Sequence, residues 1–188
     1  MKKMKWLFAC MLFLAASGFA LGQNAKSVEH PTVAQVFDRR VAGVEQQFVS
    51  AADAMPEDKY SFAPTDGEFK GVRTFAQQVK HVAAVNYMVG AAILEEKPPV
   101  EVGSENGPDT MKTKADIMNF LKGSFAYFHK AVGTINADNL VSPIKNPFGE
   151  GTATRLGTAT LIVGHCFDHY GQMVVYLRMN GIVPPASR

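Results

Sequence analysis

Two histidines four residues apart, His165 and His169, have the spacing in this sequence best suited to chemistry. On a helix, at about 100° per residue, they point within about 40° of each other, so both imidazoles can reach one metal ion above a single turn. Their neighbours on that face, Leu161, Ile162, Met173 and Tyr176, turn the pair toward a packed interior. His81 lies on a second apolar stripe that continues through Val85, Met88 and Ala92. Three neutral imidazoles meeting from two facing helices would leave a coordination position open, as catalytic metal sites do. The same pattern also fits core histidines that only satisfy hydrogen bonds, because a buried ring needs partners for its nitrogens.

No carboxylate sits squarely with these three. Asp168 lies about 60° from His165 on the helical wheel, near enough to bond an imidazole N–H from outside the ligand set. It would serve equally well in a surface ion pair with Arg155 or Lys130. Gln172 shares the histidine stripe and could orient a bound water or substrate, whereas Tyr176, one turn on, reads as packing. His30 precedes Pro31 and reads as solvated, and His129 flanks the stripe of its helix as a boundary residue. Cys166, inside an apolar pattern, reads as a small core hydrophobe. The sequence has no GxSxG, Walker loop or dinucleotide glycine motif.

The elements that must position these groups are helical. From Pro31 to Met55 the residues Val33, Val36, Phe37, Val41, Val44, Phe48, Ala52 and Met55 recur every three or four places, which predicts a helix with proline in its first turn. A second helix is expected from Thr74, in a capping box with Gln77, to about Leu94. A third opens at Thr113 and carries Met118, Leu121, Phe125, Phe128 and Val132. The fourth runs from about Thr154 to Asn180, ended by Gly181 and Pro184-Pro185. Between them lie connections rich in Pro, Gly and polar residues (56–73, 95–112 and 134–151), long beside the 2–8 residues usual in bundles. Such lengths point to crossovers or a lid, or equally to short 3₁₀ turns within them, and no strand-like alternation is visible. The expected fold is all-α, a single four-helix bundle with long connections.

The chain has 188 residues, with 19 Lys and Arg against 17 Asp and Glu. Lys2, Lys3 and Lys5 stand before the apolar run Trp6–Ala16, and no acid occurs in the first 22 residues. That run is too short for a membrane span and is followed by small residues, the pattern of a secretory signal. Residues 1–22 are therefore expected to be a signal peptide cut after Gly22, or after Ala20, and residues 23–188 the mature domain. Export to a bacterial periplasm follows, with no membrane attachment after cleavage. Without its leader the chain keeps 16 basic and 17 acidic residues. Together with 47% hydrophobic residues, this excludes a disordered chain and a basic nucleic-acid binder.

The run from His165 through His169 to Pro185 resembles the last helix of the DinB-like (YfiT-like) proteins. Met55–Pro64 with Phe75–Ala83 resembles their loop and second helix, and Thr113–Lys122 their third. The resemblance implies a bundle of up-down-down-up topology, often dimeric, which binds a divalent ion such as zinc or nickel. The ligands it implies are one histidine of the second helix and the HxxxH pair of the fourth, here His81, His165 and His169. Some relatives are transferases or isomerases that use low-molecular-weight thiols. The expectation is a metal-dependent enzyme, a hydrolase or a thiol transferase, acting on a small molecule. The alternative is a non-catalytic protein that binds a metal or small ligand in a stress response.

Overall fold

The computed structural model describes residues 30–188. The expected leader, residues 1–22, lies outside the described residues. Four helices carry the chain: α1 Val33–Ala54, α2 Phe75–Leu94, α3 Lys114–Val132 and α4 Arg155–Met179. Each starts behind a threonine whose hydroxyl accepts from a backbone N–H of the first turn: Thr32, Thr74, Thr113 and Thr154. At Thr32 and Thr74 the side chains of Gln35 and Gln77 bond back to the threonine N–H, which completes capping boxes. Pro31 thus precedes the cap of α1 rather than lying in its first turn, because Thr32 supplies the capping oxygen.

Contacts between helix ends give the directions. Lys114, opening α3, donates from Nζ to the carbonyls of Asp53 (2.6 Å) and Met55 (3.0 Å), where α1 finishes. At the start of α2 the N–H groups of Phe75 and Ala76 bond the carbonyls of Phe62 and Tyr60, just beyond α1. At the other end, Tyr127 and Lys130, late in α3, both bond Glu96, just past α2. Arg155, opening α4, donates to the Ile93 carbonyl at 3.2 Å and pairs with Glu95. So α2 and α3 run parallel, α1 and α4 run opposite to them, and the order is up-down-down-up. In cross-section α1 and α2 are diagonal, each packed on both α3 and α4.

The most extensive of these interfaces joins α2 to α3. Two glycines allow the approach. A Cβ on Gly90 would meet the Tyr127 ring at 2.8 Å, and one on Gly123 would meet the Tyr87 hydroxyl at 2.5 Å. Each helix therefore receives a tyrosine of the other into a space with no side chain. Phe48, Phe75, Phe125, Phe128, Leu121 and Ile162 fill the interior. Across its middle Asn86 donates to Ser124 (3.3 Å), Ser124 to the Leu121 carbonyl (2.7 Å), and Cys166 to Asn86 (3.6 Å). Cys166 is fully buried, and burial pushes its thiol up to about 12, far from any thiolate role at neutral pH.

Three details depart from the sequence expectation. Val36 and Leu161 belong to inward stripes by spacing but are 46% and 50% exposed. At the corner of a bundle the neighbours cover a narrower face than the apolar stripe spans. The connection before α4 contains an antiparallel pair, β1 (Pro143–Lys145) with β2 (Thr152–Thr154), in which Ile144 opposes Ala153. Strands of three residues are too short to show a period of two, and the fold remains all-α. No helix of the described residues is long and apolar enough to cross a membrane.

His129 ties α3 to α1, donating from Nδ1 to Asp38 (2.6 Å) and from Nε2 to Glu45 (3.0 Å). Burial alone would lower its pKa, but hydrogen bonds to the two carboxylates outweigh that and raise it. With a folded pKa above the unfolded one, its contribution is complete below about pH 6.5 and is lost as pH rises through the folded value. Each partly exposed pair is worth at most about 1 kcal/mol. Urea midpoints of wild type and His129→Gln are expected to differ more at pH 6 than at pH 9. A difference that grows with pH would reject the paired imidazolium.

Candidate metal centre

His81 lies in the second turn of α2, and His165 and His169 lie one turn apart on α4. Across the bundle their ligating nitrogens come within 4.8 Å of one another. The ring centroids form a triangle of 5.0, 4.7 and 4.5 Å sides. Among the described residues no cysteine or carboxylate joins the group.

Hydrogen bonds fix where two of the rings carry their protons. The Nδ1–H of His81 donates to the Glu105 carbonyl, and Nε2 lies 3.1 Å from His165 Nε2. The Nδ1–H of His169 donates to Gln78 Oε1 at 2.6 Å. Gln78 Nε2 in turn donates to Gln172 Oε1 (2.8 Å), and Gln172 Nε2 donates to Asp168 (3.2 Å). This relay sets each amide's orientation from the exposed carboxylate inward, so the open lone pair of His169 is on Nε2. The same holds for His81. Among the described residues Nδ1 of His165 is buried without a partner.

Electrostatics keep the rings neutral. Burial, then the neighbouring histidines, hold His165 down to about 4, and burial, His81 and Arg73 do the same for His169. Burial also lowers His81. Three uncharged imidazoles, two with Nδ1–H committed and Nε2 free, match the donor set of a divalent transition ion. The residues present therefore fit the group that the sequence implied.

The long connection between α2 and α3 supplies the flank of this site. Because α2 and α3 are parallel, the chain must return along about 30 Å, the length of the 20-residue α2. On the way, the turn Ser104–Gly107 presses on α2 at Lys80 and His81. Glu105 accepts from His81, and the Pro108 carbonyl accepts from Nζ of the buried Lys80 at 2.8 Å. Arg73, just before the cap of α2, holds the turn through Asn106 (2.8 Å) and Glu105 (3.4 Å). The Arg73 carbonyl accepts from the Tyr176 hydroxyl at 3.0 Å.

Of the residues singled out from sequence, His81, His165 and His169 converge. Among the described residues Asp168 bonds neither an imidazole nor a basic partner, since Arg155 pairs with Glu95 and Lys130 with Glu96. It reaches His169 only through Gln172 and Gln78. Both ends of the Gln172 amide are engaged in that relay. Tyr176 is buried with its hydroxyl on Arg73. His30 is exposed. Gln78 and the Glu105 turn escaped the sequence reading. A polar residue three places before His81 within an apolar run was the available signal for Gln78, and the carbonyl of Glu105 has none.

A cavity of about 560 Å³ opens at the other end of α2, between Met88, Ala92, Lys97, Lys145 and Pro147, and none of the three histidines lines it. Its acids Glu95 and Glu96 already have partners.

Gln78→Leu should lower metal affinity about 10- to 100-fold, the usual cost of removing a group that orients a ligand. Competition against a chromophoric chelator measures it, and unchanged affinity would show that the relay does not serve the site.

Solved structures share the fold. A conserved protein of Enterococcus faecalis matches 79% of this chain and 97% of its own at 15% identity and a TM-score of 0.63. A DinB-like protein of Bacillus cereus matches 79% and 93% at 14% identity and 0.63. A DinB-like protein of Bacillus subtilis matches 78% and 92% at 18% identity and 0.59. At these identities the likeness concerns the fold alone. No curated protein matches the chain. The DinB superfamily family model matches residues 40–173, from within α1 into α4 and across all three histidines. By that match, over most of its helical bundle, the chain belongs to the DinB superfamily.

Proposed function

We propose that the protein is an exported metal-dependent enzyme, a hydrolase or thiol transferase, whose ion is held by His81, His165 and His169. The observation that carries this reading is a three-imidazole set with no fourth protein ligand among the described residues. Structural zinc sites are usually closed by four protein ligands, and a three-ligand site leaves a position for substrate. When bound, an ion such as zinc or nickel supplies a Lewis acid and lowers the pKa of an adjacent water or thiol. The chain's own residues present neutral nitrogens, keep two rings aimed through Gln78 and Glu105, and hold the site against the Ser104–Gly107 turn.

The second reading, a non-catalytic metal or ligand carrier, draws support from the relay. Asp168 and Gln172 are bonded to each other, and among the described residues no carboxylate joins the three rings. Elemental analysis of the chain from Gln23 onward, purified without a polyhistidine tag, tests what both readings share. About one zinc or nickel per chain, absent from His165→Ala, is expected. A screen divided between ester or amide hydrolysis and thiol transfer then separates enzyme from carrier. No metal, and none taken up from a panel of divalent ions, would overturn both. Export rests on the Met1–Gly22 pattern, and a periplasmic product beginning at Gln23 or Leu21 is its expected result.

A further inference from the structure

We propose that Arg73 makes this centre selective for an anionic substrate, one whose carboxylate is held by the guanidinium while its other end reaches the ion. The inference rests on the metal reading above and deepens it. Arg73 is linked to the ligand set through one residue: its Nη2 contacts the Glu105 side chain and its Nε the Asn106 side chain, while the Glu105 carbonyl receives His81. Its backbone carbonyl is tied to Tyr176, two turns beyond His169 on α4. The side chain is 28% exposed, so its charge is partly withdrawn from water.

The three ligands are neutral, and among the described residues no carboxylate joins them. The Glu105 carboxylate is 90% exposed and 3.4 Å from Nη2, a long and solvated pairing worth at most about 1 kcal/mol. Asp168, the other nearby acid, is exposed and bonded to Gln172. The Nη1 group makes no hydrogen bond among the described residues, so part of the planar fork remains for an incoming carboxylate. A divalent ion adds charge of the same sign. The centre and its rim are thus built to attract an anion, and a cationic substrate would be repelled.

The test uses cobalt(II)-loaded protein and two thiols of equal length, 3-mercaptopropionate and the neutral 3-mercaptopropionamide, titrated by their sulfur-to-cobalt absorption. Wild type is expected to bind the carboxylate about ten-fold tighter or more. With cobalt added until each variant is fully loaded, so that any weakening of the ion site through the turn Arg73 holds drops out, Arg73→Gln should bring the ratio of the two thiol affinities near one, and Arg73→Lys, which keeps the charge, should recover part of the preference. Equal or absent binding of the two thiols in cobalt-loaded wild type would overturn the proposal. So would a preference that survives in Arg73→Gln. Failure of wild type to take up cobalt would instead overturn the metal reading, and this inference with it.

Discussion

Replacing His169 with alanine is expected to abolish the stabilisation that zinc or nickel confers. An ion that binds only the folded chain stabilises it by about 4.1 kcal/mol at a free concentration 1,000 times its dissociation constant. For a domain of this size that corresponds to about 8–16 °C in melting temperature. His169 is the most buried of the three ligands, at 6% exposure, and its Nδ1–H anchors the relay through Gln78. The substitution therefore has two effects. It removes one of three ligands, and it leaves Gln78 Oε1 buried without its donor, which costs about 1–3 kcal/mol even without metal. Only the first effect depends on the ion. The quantity to read is the difference in melting temperature with and without metal, expected near zero in His169→Ala and unchanged in His129→Gln. A full metal-dependent shift in His169→Ala would remove that histidine from the ligand set.

The second large effect is expected far from the ligands in sequence, at Gly107. Its φ is +74°, and a Cβ there would lie 2.6 Å from Cβ of Lys80 and 3.0 Å from the Lys80 carbonyl oxygen. Alanine must both adopt a left-handed conformation and push the turn off α2. Strain and overpacking together should cost about 2–4 kcal/mol. Lifting the turn also separates Glu105 from His81 and the Pro108 carbonyl from Lys80, whose ammonium is then buried without an acceptor. Metal affinity should fall about ten-fold as the His81 ring loses its orienting partner. Gly71→Ala is the matched control: its φ is +81° but no atom lies within 4 Å of the added Cβ. It should lose about 1 kcal/mol from strain alone and keep its metal affinity. If Gly107→Ala bound metal as tightly as Gly71→Ala, the turn would have no part in holding His81.

Both effects bear on what this chain's local pattern contains. A helix repeats every 3.6 residues whatever surrounds it, so the stripes of α1 to α4, the capping residues Thr74 and Thr113, and the shared face of His165 and His169 were all legible in sequence. The inward direction of His81 was legible for the same reason. Periodicity overstated the core only at Val36 and Leu161, where no neighbour covers the stripe. It passed over β1 and β2 because three residues hold no period.

Tertiary structure decided what the rings touch. That His81 meets a residue 84 positions away follows from α2 and α4 being neighbours, which no local period encodes. The pairing of Gln78 with His169 depends on the same contact. The role of the α2–α3 connection depends on handedness of travel. Two parallel helices force the chain to return along α2, and the return lays the backbone carbonyl of Glu105 against His81. A main-chain oxygen looks the same under any side chain, so its part in the site can be written only by the path of the fold.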